Sequence, residues 1–205
     1  AIANLDSIPD IVAVSGWVKG FYASECPLEA GYFGHDQTAI KVDKMNFFGK
    51  QVNYFTSSHE RSHLLCGYGM SPFEQGQACY VLLWEGTIGS FYEIDKNLKV
   101  HKLAKIMDDP GDKYSFVFAL ADPTYPLMKG YFRFSDAGKL MALAAYSNHE
   151  PMTKAEKKTA EYILDRYHLR KTMKTDMRWS QFFNIGLSSP DFRNFTGKFS
   201  DFLFD

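Results

Sequence analysis

The chain has 205 residues, room for one sizeable domain or two small ones around a buried core. Hydrophobic residues at 45%, charged residues at 23% and a formal net charge of −1 suit an ordinary globular protein. That charge argues against the broad electrostatic footprint that nucleic acid requires, so no nucleic-acid partner is expected. No apolar run approaches the roughly 18–20 residues needed to span a bilayer, so no membrane is expected either.

Ala1-Ile2-Ala3-Asn4-Leu5-Asp6 has no positive n-region and no initiator Met. It is not expected to act as a signal peptide, and the chain is expected to be one entered partway through. Cys26, Cys66 and Cys79 cannot all pair within one chain and lack zinc-cluster spacing, which suits reduced thiols in a cytoplasmic protein. With 18 Phe and 12 Tyr, a Phe-rich core with exposed loop aromatics is preferred to a dedicated stacking surface.

Asp10 to Ser15, opened by Pro9 and closed by Gly16, predicts a short buried strand. Residues 16 to 36 carry Gly, Pro and aromatics without a period, which predicts an irregular excursion. Gln51 to Thr56 is a second strand candidate, after which Ser57 or Ser58 can cap a helix starting at or near His59. Gly67, Gly69 and Pro72 predict that this helix ends after about three turns or fewer. Gln77 to Trp84 is the longest apolar run and the best candidate for a central strand.

That run breaks at a turn over Glu85-Gly86-Thr87-Ile88-Gly89 and resumes at Ser90 to Ile94, a hairpin signal. A strand from Leu98 to Ile106 would complete a meander. Helical patterns follow over Lys113 to Ala121, Ala137 to Tyr146, and Lys154 to Tyr167. The last has Thr153 and Glu156 in a capping box. Trp179 to Asp205 is aromatic, but Ser, Pro and Gly interrupt it and leave its structure open. The sum is one α/β domain over residues 1–205, with strands first and helices later.

His59-Glu60-Arg61-Ser62-His63 is the most informative stretch. Residues i and i+4 share a helix face, so both imidazoles can reach one divalent ion. A helix N-terminus also favours the neutral, ligating ring. The five residues satisfy H-E-x-x-H, the zinc-protease pattern in which Glu60 would be general base. A zincin, however, needs its pair in mid-helix and a third ligand downstream. Neither fits here, because the helix is predicted to start at the histidines and His35, His101, His149 and His168 have no third-ligand spacing.

Three segments in order resemble one family. Thr56-Ser57-Ser58-His59-Glu60-Arg61-Ser62-His63-Leu64, followed by Gly69-Met70-Ser71-Pro72-Phe73, is similar to the His-His-x-x-x-His…Ser-Pro-Phe signature of the nodulation-protein and antibiotic O-carbamoyltransferases. Val81 to Ser90 resembles their strand–Asp-Gly-x-Gly–strand element. Gly138-Lys139-Leu140-Met141-Ala142-Leu143-Ala144-Ala145-Tyr146 resembles their Gly-Lys-x-Met-x-Leu-Ala-x-Tyr helix.

The resemblance implies part of an actin-like ATPase (ribonuclease H-like) domain, a mixed sheet flanked by helices. It is related to the enzyme that makes threonylcarbamoyladenosine on tRNA. A separate carboxy-terminal domain would make carbamoyl-adenylate from carbamoyl phosphate and ATP. This domain would then pass the carbamoyl group to the hydroxyl of a small-molecule acceptor. By the same resemblance, His59 and His63 hold a divalent metal (iron, zinc or manganese), Glu85 takes the place of a catalytic Asp, Gly86, Thr87 and Gly89 line the nucleotide phosphates, and Gly138 with Lys139 lies near the ribose.

The chemistry is compatible. A carbamoyl-adenylate is a mixed anhydride whose carbonyl needs polarising, whose phosphate needs neutralising and whose acceptor needs deprotonating. A His-bound ion suits the first or last task. Glycine backbone suits approach to phosphate, and Lys139 could add a point charge, although a solvated surface lysine reads equally well. Met141 and Leu143 read as core.

Ser58 stands where the family has the first His of its pair, and Glu85 where it has Asp. The longer carboxylate moves the charge by over about an ångström, roughly enough to cost a hundredfold in rate. The opening strand pair, with an early phosphate-binding Gly and Asp, has no counterpart before Asp10. Gly34-His35-Asp36 resembles that opening motif but is set aside as coincidence, being so close to His59. The chain is therefore expected to be a piece of a longer two-domain enzyme, lacking the adenylate-forming domain and inactive alone. A zinc protease, and a non-catalytic nucleotide- or metal-binding module of the same fold, are the alternatives.

Overall fold

The computed structural model describes residues 7–16, 30–126, 134–148, 150–165 and 173–204. It is mixed α/β, with two three-stranded sheets and, among the described residues, five α-helices. The chain divides into two compact units, Ala1–Leu83 with Ser90–Ile106, and Trp84–Gly89 with Met107–Asp205. The irregular excursion expected after Gly16 falls largely on residues 17–29. That stretch, Cys26, His149, His168 and the expected end of the third helix lie outside the described residues.

In the first unit, β1 (Ile11–Ser15) runs parallel to β3 (Lys50–Ser57), and β2 (Ile40–Phe47) pairs antiparallel with the other edge of β3. Strand β3 is therefore central, and it alternates accordingly: Val52, Tyr54 and Thr56 are buried at 3% exposure or less. The sequence reading missed β2. Its Lys41, Asp43, Lys44 and Asn46 resemble loop composition, and Val42 on the strand is 69% exposed. Register and turn make it a strand. Phe48 and Gly49, both at positive φ, form the two-residue turn whose twist suits a hairpin, and the Gly49 amide donates to Asn46 Oδ1 at 2.8 Å.

Helix α1 (His59–Gly69) follows β3 directly. Its 11 residues make three turns, as expected from the glycines. The second sheet has the order β4 (Cys79–Glu85), β5 (Ile88–Ile94), β6 (Val100–Asp108). This matches the expected meander but corrects the placing of its apolar run. The central strand is β5, buried at five of its seven positions, whereas β4 is an edge with Tyr80 70% and Leu82 39% exposed. A continuous apolar run is no guide to centrality when alternate side chains face solvent.

The second unit is helical around one aromatic core. Helix α2 (Pro110–Ala121) is buried over nearly its whole length and packs on α3 (Phe134–Ala144), which packs on α5 (Pro190–Phe204). Helix α4 (Lys154–Leu164) begins at the expected capping box, with the Thr153 amide donating to Glu156 Oε2 at 2.6 Å. Helix α5, which sequence left open, contributes Phe192, Phe195, Phe199 and Leu203 at helical spacing, all 7% exposed or less. Phe195 stacks on Phe182 at 4.1 Å between centroids. Gly197 sits where any Cβ would run into Ser147 and the Ala144 carbonyl, so a residue that looks like a helix breaker is a close helix crossing. The expected Phe-rich core is present. Met141, read as core, is 55% exposed, and Leu140 beside it is the fully buried residue.

Candidate functional site

Ser58 is the N-cap of α1, its hydroxyl accepting the Arg61 amide at 3.1 Å. The cap fixes His59 as the first helical residue, and one turn later His63 stands over it. Their Nε2 atoms are 3.1 Å apart, with ring centroids at 4.5 Å and planes at 79°. With metal–nitrogen bonds of about 2.1 Å, that separation corresponds to an N–M–N angle of roughly 95°. This lies between octahedral and tetrahedral values, so the pair suits adjacent ligands on one ion. The Tyr32 ring stacks on His59 at 4.6 Å and 23°. Ser58 itself is fully buried, and its side chain is the cap.

Glu60 does not face the pair. Its side chain is buried, accepting the Gly34 amide at 2.8 Å through Oε2 and the Tyr92 hydroxyl through Oε1. Burial first, and then the hydrogen bond and charge of Glu60, push the Tyr92 phenol well above its ordinary range, keeping it a donor. A carboxylate committed in this way, on a helix that begins at His59, is not the general base that the H-E-x-x-H reading requires.

The expected phosphate ligands lie in the second unit. Gly86 and Thr87 form the turn between β4 and β5, and Gly89 lies in β5. A Cβ on Gly89 would meet the Met107 carbonyl oxygen at 2.7 Å, so packing alone already demands glycine there. The Gly111 amide, in the first turn of α2, donates to the Gly86 carbonyl at 2.9 Å. Thr87 Oγ1 is buried without a hydrogen-bond partner.

Gly138 and Lys139 lie on α3. Lys139 Nζ is 3.2 Å from Asp136 Oδ1 and 5.5 Å from the centroid of Phe118 on α2. Phe118 is seven residues beyond Gly111, about 10 Å along the helix. The two groups of expected nucleotide ligands therefore touch α2 at different levels. A Cβ at Gly138 would meet nothing within 4 Å, so packing does not explain this glycine. Glu85 is the last residue of β4.

Sequence reasoning missed the segment from Gly31 to Asp36. Gly34-His35-Asp36, set aside for its closeness to His59, is seated on the first turn of α1. Besides the Gly34–Glu60 bond, the Ser58 hydroxyl donates to the Gly34 carbonyl and Arg61 donates to the His35 carbonyl at 3.2 Å. The His59 and Glu60 amides donate to the Gly31 and Tyr32 carbonyls at 3.1 and 2.9 Å. The available signal was Gly34, whose φ of +126° marks a backbone position that favours glycine.

These features describe an α/β protein with a two-histidine candidate metal centre on one helix and a glycine-bearing turn packed on another. Over 202 residues, 98% of the chain, it is 36% identical to a 3'-hydroxymethylcephem-O-carbamoyltransferase of Amycolatopsis lactamdurans. It is also 36% identical over the same length to the protein of that name from Streptomyces clavuligerus. The chain spans 38% of the length of each and is thus a partial homologue of an antibiotic O-carbamoyltransferase. No protein-family model and no solved structure matches it.

Proposed function

We propose that this chain is the carbamoyl-transfer part of an ATP-dependent O-carbamoyltransferase. It would move a carbamoyl group from carbamoyl-adenylate, made from carbamoyl phosphate and ATP, to the hydroxyl of a small-molecule acceptor. The observation that carries this reading is the 36% identity sustained over 98% of the chain. The fold would be part of an actin-like ATPase domain, with the adenylate-forming step belonging to the portion of the relatives that the chain does not span.

In this reading His59 and His63 hold a divalent ion (iron, zinc or manganese), and Glu85 takes the place of a catalytic Asp. Support comes from the pair's own geometry: the two Nε2 atoms, on successive turns of α1, stand 3.1 Å apart. When bound, the ion supplies Lewis acidity toward a carbonyl or a hydroxyl. The chain's own residues bind and orient. The Thr87 hydroxyl, buried with no acceptor or donor of its own, is left over for a phosphate oxygen. The open backbone at Gly138 leaves room for a ligand. Lys139, tied to Asp136 yet with its side chain 52% exposed, can turn its ammonium toward an anion.

The test compares full-length wild type with His63→Ala. Wild type should show a thermal shift with ATP and divalent metal, and should consume carbamoyl phosphate in the presence of a hydroxyl acceptor. His63→Ala should lose both the metal-dependent shift and the turnover. Equal rates for the two would leave the non-catalytic module standing instead.

A further inference from the structure

We propose that Glu60 is a positioning residue: its buried carboxylate latches the Gly31–Asp36 loop onto α1 and so holds Tyr32 against the His59 ring. The inference rests on the reading of His59 and His63 as a metal-binding pair.

The carboxylate is 3% exposed, and both oxygens are used. Oε2 takes the Gly34 amide at 2.8 Å, and Oε1 takes the hydroxyl of Tyr92, a fully buried residue of β5. Lys102 Nζ on β6 lies 3.7 Å from Oε1 and offsets the charge. One side chain thus ties α1, the loop and β5 together. Tyr32 is two residues before Gly34, and its carbonyl takes the Glu60 amide at 2.9 Å. Its ring is the stacking partner of His59 at 4.6 Å.

Removing the carboxylate would leave the Gly34 amide and the buried Tyr92 hydroxyl without their acceptor, so the loop, left with its remaining bonds to α1, is free to shift. Tyr32 would go with it, and His59 would recover rotamer freedom that the ion would then have to remove. In this chain, the Glu that completes the H-E-x-x-H string therefore acts on the ligand's orientation and takes no part in proton transfer.

The experiment titrates cobalt(II) into the full-length protein and follows its visible absorption. Losing an outer contact that orients a ligating His is expected to cost about 10–100-fold in affinity, so Glu60→Ala should weaken binding by that amount and alter the spectrum. Glu60→Gln, which still presents an acceptor oxygen to Gly34, should stay near wild type. Tyr32→Leu should match Glu60→Ala. The Glu60→Ala/Tyr32→Leu double variant should be little worse than either single one, because both act on the same contact.

In metal-free protein, the imidazole NMR signals of His59 should lose the ring-current shift from Tyr32 in Glu60→Ala. If that variant does not fold, Tyr32→Leu and Glu60→Gln carry the test. Wild-type affinity and an unchanged spectrum in a folded Glu60→Ala, or in Tyr32→Leu, would overturn the latch while leaving the histidine pair intact. A wild type that binds no cobalt would overturn both.

Discussion

At the scale of single residues, the two candidate ligands differ in what holds them. His59 is half-buried and stacked under Tyr32, whereas His63 is exposed on the next turn. Hence His63→Ala should cost little stability, within about 0.5 kcal/mol as for surface changes generally, while abolishing cobalt binding. A large drop in Tm on that substitution would show that the pair is structural.

Lys113 poses the opposite problem, a cation 2% exposed. It hands its ammonium to the Ile163 and Leu164 carbonyls at 3.4 and 3.2 Å, at the end of α4, where a positive charge suits the helix dipole. Burial lowers its pKa below the ordinary 10.5, against the pull of Asp109, Asp108, Asp165 and Asp112. The folded chain thus binds this proton less tightly than the unfolded one. Between the depressed value and 10.5 the unfolded state carries more protons, so stability from this group rises as pH climbs through that window and falls as pH drops back. Wild-type Tm should therefore gain on that of Lys113→Met as pH rises toward 10.5. A Tm difference that stays flat with pH would contradict the assignment.

Elements differ in how they declare themselves. Helices α1 and α4 were legible because their starts are chemical: a serine cap at Ser58, and the reciprocal Thr153–Glu156 bonds. The strand β2 was not, since its stability comes from pairing with β3 and from the Phe48-Gly49 turn, and its polar side chains hide it. Helix α5 was obscured by Gly197, whose meaning depends on α3 lying across it. The histidine pair was legible from spacing alone, whereas the loop that holds it depends on a fold-back that no local pattern records.

At this scale Glu156 and Lys198 join α4 to α5, with Lys198 Nζ 3.3 Å from Oε1 and both side chains 8% exposed or less. Lys198→Met should cost on the order of 3 kcal/mol by leaving the carboxylate unpaired, and adding Glu156→Gln should recover part of it. Chemical denaturation of the single and double variants would check this. Gly138 gives a prediction of the other sign. It lies within α3 with open space at its Cβ, so Gly138→Ala should stabilise by up to about 1 kcal/mol. If it lines a ribose, the same change should weaken the ATP-induced thermal shift. A stabilised variant with an undiminished shift would remove Gly138 from the site.

For the molecule as a whole, the division into two units matters because the residues proposed for metal and for nucleotide fall in different units. The histidine pair belongs to the first unit. The Gly86–Gly89 turn, Gly138 and Lys139 belong to the second. Carbamoyl transfer from an adenylate needs a site that makes the adenylate and one that uses it, and the chain spans 38% of the length of relatives named as O-carbamoyltransferases. In the proposed reading metal binding asks only for the histidine pair on α1, whereas turnover asks for an adenylate as well. The two properties should therefore separate. The 205-residue chain is expected to bind cobalt, yet to form no carbamoylated product from carbamoyl phosphate, ATP and a hydroxyl acceptor when products are followed by mass spectrometry. Supplying preformed carbamoyl-adenylate tests the transfer step by itself. Product then appearing would show that this chain performs the transfer step, and its continued absence would show that it does not perform that step alone. Product from carbamoyl phosphate and ATP with the 205-residue chain alone would contradict the division of labour proposed here.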